Sequence, residues 1–294
     1  KGLSVHRTNS WRRARSPDML RITALLVLAM ASCVQSAAVL RLPTAFGPKT
    51  MLRQSLRGGQ EMQPCDDTRR LMEAVVSGEL EQVKQQVDKQ ADLFWTNTTH
   101  AAGWTCLHEA IARGHVDIAN LLIEKGGDGL ILAQDEQSVT TLHVAAAEGM
   151  DSVVKALIKK GGKELLHAQD ASGRTCLHGA AQQEHLSTVK ILAAEGDEAL
   201  LHKKDLEGFT CLHWGALEGN LDITAHLAEV GGQKLLEVAG QGGLTCLHVA
   251  AGKGHKHVVE KLVEIGGKQL EEERTEAGQT YTDLAARFEA MGAP

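Results

Sequence analysis

Four short tripeptides carry the residues best suited to chemistry: Cys106-Leu107-His108, Cys176-Leu177-His178, Cys211-Leu212-His213 and Cys246-Leu247-His248. Thiolate and imidazole are the usual zinc ligands, each bound at about 2.0–2.3 Å, so the four ligands of one ion sit within about 4–5 Å of each other. The same cysteines raise the possibility of disulfides, which need Cα atoms about 4.4–6.8 Å apart. Whether either can form depends on the elements that hold the pairs.

Those elements are periodic. Thr105-Cys106-Leu107-His108 returns as Thr140-Thr141-Leu142-His143, then at Thr175, Thr210 and Thr245, and in degenerate form as Thr280-Tyr281-Thr282-Asp283; the step is 35 residues each time. A second marker keeps the same phase: Gly126-Gly127, Gly161-Gly162, Gly196-Asp197, Gly231-Gly232 and Gly266-Gly267. Each unit reads as two helices. A short apolar run after the threonine stops near a glycine such as Gly114, suited to a left-handed helix end. A second run, such as Val116 to Glu124, carries Ile118, Leu121, Leu122 and Ile123 largely on one face and is expected to end at the glycine pair. One such pair of helices cannot bury its apolar face alone, and stacked neighbours can.

The unit resembles the ankyrin repeat. The matching residues are Gly173-Arg174-Thr175-Cys176-Leu177-His178-Gly179-Ala180-Ala181, with Gly114-His115 and Gly254-His255 between the helices. Three features depart from that family's pattern. Cysteine, or Thr141, stands where proline is usual; Gly-Gly replaces Gly-Ala; and the step exceeds the family's period of about 33. The longer connection is expected to hold an extra helical turn, as at Lys163-Glu164-Leu165-Leu166. The expected fold is an all-α ankyrin-repeat solenoid over residues 66–294, preceded by an unstructured or signal-like segment over 1–65. Its units are a cap at 66–99, repeats at 100–134, 135–169, 170–204, 205–239 and 240–274, and a partial repeat at 275–294.

Equivalent positions in stacked helices lie about 8–10 Å apart. The Cys/His pairs therefore cannot converge on one metal ion, and no metal site or repeat-to-repeat disulfide is expected. The cysteines read as free, buried, small apolar residues, which suits a reducing compartment. The resemblance implies that each histidine bonds locally and ties a turn to the neighbouring repeat. The sequence contains no Gly-rich phosphate loop, Gly-x-Ser-x-Gly elbow or His-Glu-x-x-His. Neither an enzyme nor a cofactor is expected.

Aromatics make up 3% of the chain, which argues against aromatic-rich sandwiches and carbohydrate-binding sheets. Residues 1–65 carry net charge +8 and the remainder −14. A body so acidic repels phosphate backbones, so nucleic acid is not an expected partner. Residues 22–40 lack charge and follow Arg12, Arg13, Arg15 and Arg21; within them the apolar run Ala24 to Ala31 precedes the small residues Ser36-Ala37-Ala38, a signal-peptide pattern. A membrane anchor is the alternative if that stretch is retained. No acid lies between Met19 and Gln60, which resembles a transit peptide and allows a bipartite plastid leader. Asn97-Thr98-Thr99 matches a glycosylation acceptor.

The expected function is a non-enzymatic scaffold or adaptor binding another protein through its concave surface and finger turns. In the family, the residue before the motif threonine sits on the finger and varies with partner. Here those residues are Trp104, Val139, Arg174, Phe209, Leu244 and Gln279. On the inner helices the corresponding variable residues are Arg113, Glu148, Gln183, Glu218 and Lys253, whose mixed charge implies no simple acidic or basic ligand. Trp214 occupies a position usually held by a small or aliphatic residue and is read as core before anchor.

Overall fold

A computed structural model describes residues 66–89 and 103–290. The leader features at 1–65, including the apolar stretch 22–40, and the Asn97 acceptor lie outside the described residues.

Each of the five repeats contributes a short first helix and a longer second helix. The cap supplies Asp66–Ser77 and Leu80–Lys89. The five repeats supply first helices Cys106–Ala112, Thr141–Ala147, Cys176–Gln182, Cys211–Glu218 and Cys246–Gly252. Tyr281–Ala290 supplies one more. First helices stack on first helices and second helices on second helices, giving two layers. The core runs between them through Leu107, Leu142, Leu177, Leu212 and Leu247, all at 0% exposure. In the cap's second helix only Val83 and Val87 are buried, so its outer side is polar. Among the described residues no strand forms; one isolated bridge joins Gln134 to Thr140.

The two extra residues per repeat form the additional helical turn. In the first repeat it is Gly127–Ile131, and in the third Glu198–Leu201. In the other three repeats the second helix and the turn follow one another without a gap, as Asp151–Leu166, Leu221–Leu236 and Lys256–Glu272. The second glycine of each pair is not helical, so the pair ends one helical segment and the extra turn begins another, as in the first repeat. The two glycines answer different demands. A Cβ on the first would come within 2.4 Å of Leu130 at Gly126 and within 2.3 Å of Leu235 at Gly231. The second, at Gly162, Gly232 and Gly267, has φ 58° to 61° with ψ −153° to −164°, a region essentially closed to other residues. This is why Gly-Gly stands where Gly-Ala is usual. In the third repeat Asp197 stays at negative φ and caps the short turn, its Oδ1 accepting from Leu200 N at 3.1 Å.

Candidate protein-binding surface

The finger turns are built on a repeated aspartate. Asp135 Oδ1 accepts from Gln137 N and Val139 N, both at 2.8 Å; Asp170 Oδ1 accepts from Ser172 N at 2.8 Å and Arg174 N at 2.9 Å; Asp205 Oδ1 accepts from Glu207 N at 3.0 Å and Phe209 N at 2.8 Å. Each carboxylate thus satisfies the donors of its own turn. Neighbouring fingers are joined by backbone bonds. Ala171 N donates to Gln137 O at 2.8 Å, Leu206 N to Ser172 O at 3.0 Å and Gln241 N to Glu207 O at 2.8 Å.

The motif histidines link the fingers to the helices. Nε2 of His108, His143, His178 and His213 bonds the carbonyl of Val139, Arg174, Phe209 and Leu244 in the next repeat, at 3.0–3.2 Å. A carbonyl only accepts, so Nε2 carries the proton. Nδ1 is then the acceptor for the motif threonine's N–H, at 3.1–3.3 Å, and for its hydroxyl, at 2.8–2.9 Å. Burial disfavours the imidazolium and holds His108, His178 and His213 down at about 4; His143 is lowered for the same reason. A second set points backward: His185 Nε2 bonds Ala147 O at 2.9 Å and His255 Nε2 bonds Leu217 O at 3.0 Å.

The cysteines are buried at the start of the first helices. The thiols of Cys176, Cys211 and Cys246 lie 3.7–3.9 Å from the carbonyls of Leu166, Leu201 and Leu236, and Thr141 Oγ1 donates to Ile131 O at 3.0 Å in the equivalent place. Burial pushes these three thiols up to about 12, so they stay protonated. Among the described residues no group of three or more His, Cys, Asp or Glu is placed to hold a metal ion.

The finger positions form a column with unequal access. Trp104, Val139, Phe209 and Gln279 are half-buried. Trp104 lies 5.8 Å from the His108 ring and donates Nε1–H to Asp135 Oδ2 at 3.0 Å. Phe209 stacks on His213 at 5.3 Å and covers Gly240, where a Cβ would lie 2.4 Å from its ring. Arg174 and Leu244 are each 6% exposed and face the interior. Arg174 pairs with Asp170 at 3.2 Å and lies over the Trp214 ring. Trp214 is itself 3% exposed and donates Nε1–H to Asp205 Oδ2 at 2.9 Å. Burial raises the Asp205 carboxyl, against the hydrogen bonds from Phe209 and Trp214 that lower it.

On the first helices Arg113, Glu148 and Glu218 are exposed, while Gln183 and Lys253 are half-buried. Arg113 is paired with Glu109. One candidate did not emerge from the sequence: Leu206, at a finger tip, is 79% exposed. The signal was available, because its column reads Glu136, Ala171, Leu206, Gln241 and Glu276, a single large aliphatic among small and polar residues.

Comparison with known proteins agrees with this geometry. A family model for three-copy ankyrin repeats matches residues 71–167 and 142–238, and one for the single ankyrin repeat matches 242–269. A 70-residue stretch is 39% identical to mouse 2-5A-dependent ribonuclease, covering 24% of this chain and 9% of that protein. A 58-residue stretch is 48% identical to mouse protein phosphatase 1 regulatory subunit 27, covering 20% of this chain and 36% of the relative. The chain thus spans only a minor part of either relative's length. The ankyrin repeat domain of Bcl-3, of the IkappaB family, superposes with TM-score 0.61 at 23% identity, covering 76% of this chain and 98% of that one. The ankyrin repeat protein EF0377 gives 0.59 at 24%, covering 67% and 98%. These two likenesses concern the fold. With matched repeats over most of its body, the chain belongs to the ankyrin repeat family, whose repeats serve protein–protein interaction.

Proposed function

We propose that this protein is a non-catalytic scaffold that binds another protein through its concave first-helix face and finger turns. The observation that carries this reading is Leu206 at a finger tip, close in sequence to half-buried Phe209 and 79% exposed, well above the other exposed large apolar residues described, Val230 at 48% and Leu221 at 40%. An exposed apolar anchor beside a rigid aromatic is the usual composition of a binding hot spot. Trp104 and Val139 extend the finger ridge, and Arg113, Glu148, Gln183, Glu218 and Lys253 supply polar specificity along the helices. Arg174 and Leu244 act in this reading by holding the ridge in place. A Leu206→Ser chain and a Trp104→Ala/Phe209→Ala chain are expected to lose affinity for the native partner by about tenfold or more, with helical circular dichroism retained. Undiminished binding in both would overturn the finger contribution.

In the same reading residues 1–65 deliver the scaffold to its compartment, an inference from their charge and the uncharged stretch 22–40. Among the described residues no helix is long and apolar enough to cross a membrane. Sequencing the mature N-terminus distinguishes the routes. A start near Ala37 or Val39 marks signal cleavage, a start near Gln60 an organelle route, and an intact leader in the membrane pellet an anchor.

A further inference from the structure

The first-helix ends of the middle repeats carry a run of exposed carboxylates. Gln182 ends the helix Cys176–Gln182 and is 7% exposed, yet its Oε1 has no hydrogen-bond partner. By helical spacing it shares a face with Gly179, and its equivalents are Ala147 and Leu217. A buried amide oxygen left unsatisfied costs about 1–3 kcal/mol, so it marks a place where a donor belongs. At or just beyond the ends of the first helices of three successive repeats stand Glu148, Glu184 and Glu218, all exposed and without an ion-pair partner among the described residues. Glu184 holds φ at 63° where the other repeats place Gly114, Gly149, Gly219 and Gly254.

The ledge is under electrostatic load. Desolvation raises the carboxyls of Glu148 and Glu218 above the usual range. Glu184 adds like charge beside Glu218, while Lys253 and His255 work the other way there, as His185 does at Glu148. Arg113 is engaged by Glu109 and does not relieve the ledge.

We propose that the ledge of Glu148, Gln182, Glu184 and Glu218 binds an extended basic segment of the partner protein, with arginine or lysine at about every third residue. The spacing follows from geometry. Stacked helices repeat at about 8–10 Å, and a chain in the extended polyproline II form advances about 3.1 Å per residue with three residues per turn, so every third side chain meets the next repeat on the same side. Each cation would meet one carboxylate, and a rotation of the Gln182 side chain, whose Oε1 is enclosed, would let one guanidinium N–H satisfy that oxygen. The inference rests on the scaffold reading and specifies the class of its partner.

The test uses the full-length chain and a fluorescein-labelled glycine-serine peptide carrying arginine at every third position. A matched peptide with citrulline for arginine is the neutral control. Fluorescence anisotropy at physiological ionic strength screens charges more than about 8 Å apart. We expect the arginine peptide to bind in preference to the citrulline peptide. We expect E148Q/E184Q/E218Q to weaken that binding about tenfold. The charge-matched triple E124Q/E195Q/E229Q, on the second helices, is expected to leave it unchanged. Q182L, which copies the residue at Leu217, should weaken it less than the ledge triple but measurably. Equal weakening by both triples would show a general field effect and overturn the ledge. Absence of arginine preference would also overturn it. If native-partner contact through Leu206 persists in that case, only the basic class falls; if that contact is missing too, the scaffold reading falls with it.

Discussion

The guanidinium carbon of Arg174 lies 5.9 Å from the centroid of the Trp214 ring in the next repeat. The same indole donates to Asp205, and the same guanidinium pairs with Asp170. Two finger aspartates are thereby joined through a buried cation and a buried ring. Trp214→Phe retains most of the apolar volume but leaves Asp205 Oδ2 without its indole donor. The expected loss is about 1–3 kcal/mol of unfolding free energy, measured by urea denaturation. An unchanged midpoint would show that the indole N–H contributes nothing.

The repeat and its landmarks were readable because stacking imposes the same residues every 35 positions. The two helices, the extra turn, the buried cysteines and the histidine ties all descend from that constraint. Access along the finger ridge was not readable. Arg174 and Phe209 occupy the same position of the repeat, yet one is buried beneath a neighbour and the other half-exposed. The difference is made by Trp214, forty residues downstream of Arg174, whose ring gives the guanidinium a surface to cover. Leu206 is legible only by comparing its column across repeats, because neighbouring fingers meet there through backbone bonds that place no constraint on the side chain.

Gly232 offers a clean test of the junction between the second helix and the extra turn. Nothing lies within 4 Å of where its Cβ would be, so Gly232→Ala probes backbone conformation alone. Destabilisation of about 1–3 kcal/mol is expected. A neutral result would mean that the left-handed turn is not required for the extra helical segment.

Ser138 presents the converse case. Its φ is 58° in the finger turn, where Gly103, Gly173, Gly208, Gly243 and Gly278 stand in the other repeats. Ser138→Gly should stabilise the protein by roughly 0.5–1 kcal/mol, the relieved left-handed strain being partly offset by greater freedom of the unfolded chain. Thermal unfolding followed by circular dichroism reads the sign.

The buried histidines set an acid limit. His108, His178 and His213 are neutral in the fold down to about 4, whereas their ordinary value is 6.5. Between those values the unfolded chain binds more protons, so stability falls as pH falls through that window and is fully present above it. Each such histidine contributes a slope of about 1.4 kcal/mol per pH unit. The raised carboxyls of Glu148, Asp205 and Glu218 oppose this near its lower end. Urea midpoints from pH 7 to 4 should decline, and His178→Gln should flatten the decline. A pH-independent midpoint would contradict neutral buried imidazoles.

Site-specific photo-crosslinking in the native cell tests the binding face most directly. A photoreactive residue is placed at position 206, 148 or 218 on the finger and first-helix face, or at 155, 190 or 229 on the second helices. One protein cross-linked from the first three positions and not from the last three is the result expected of a scaffold that binds through its fingers and first helices. Cross-links confined to the second-helix positions, or equal from both sets, would contradict it.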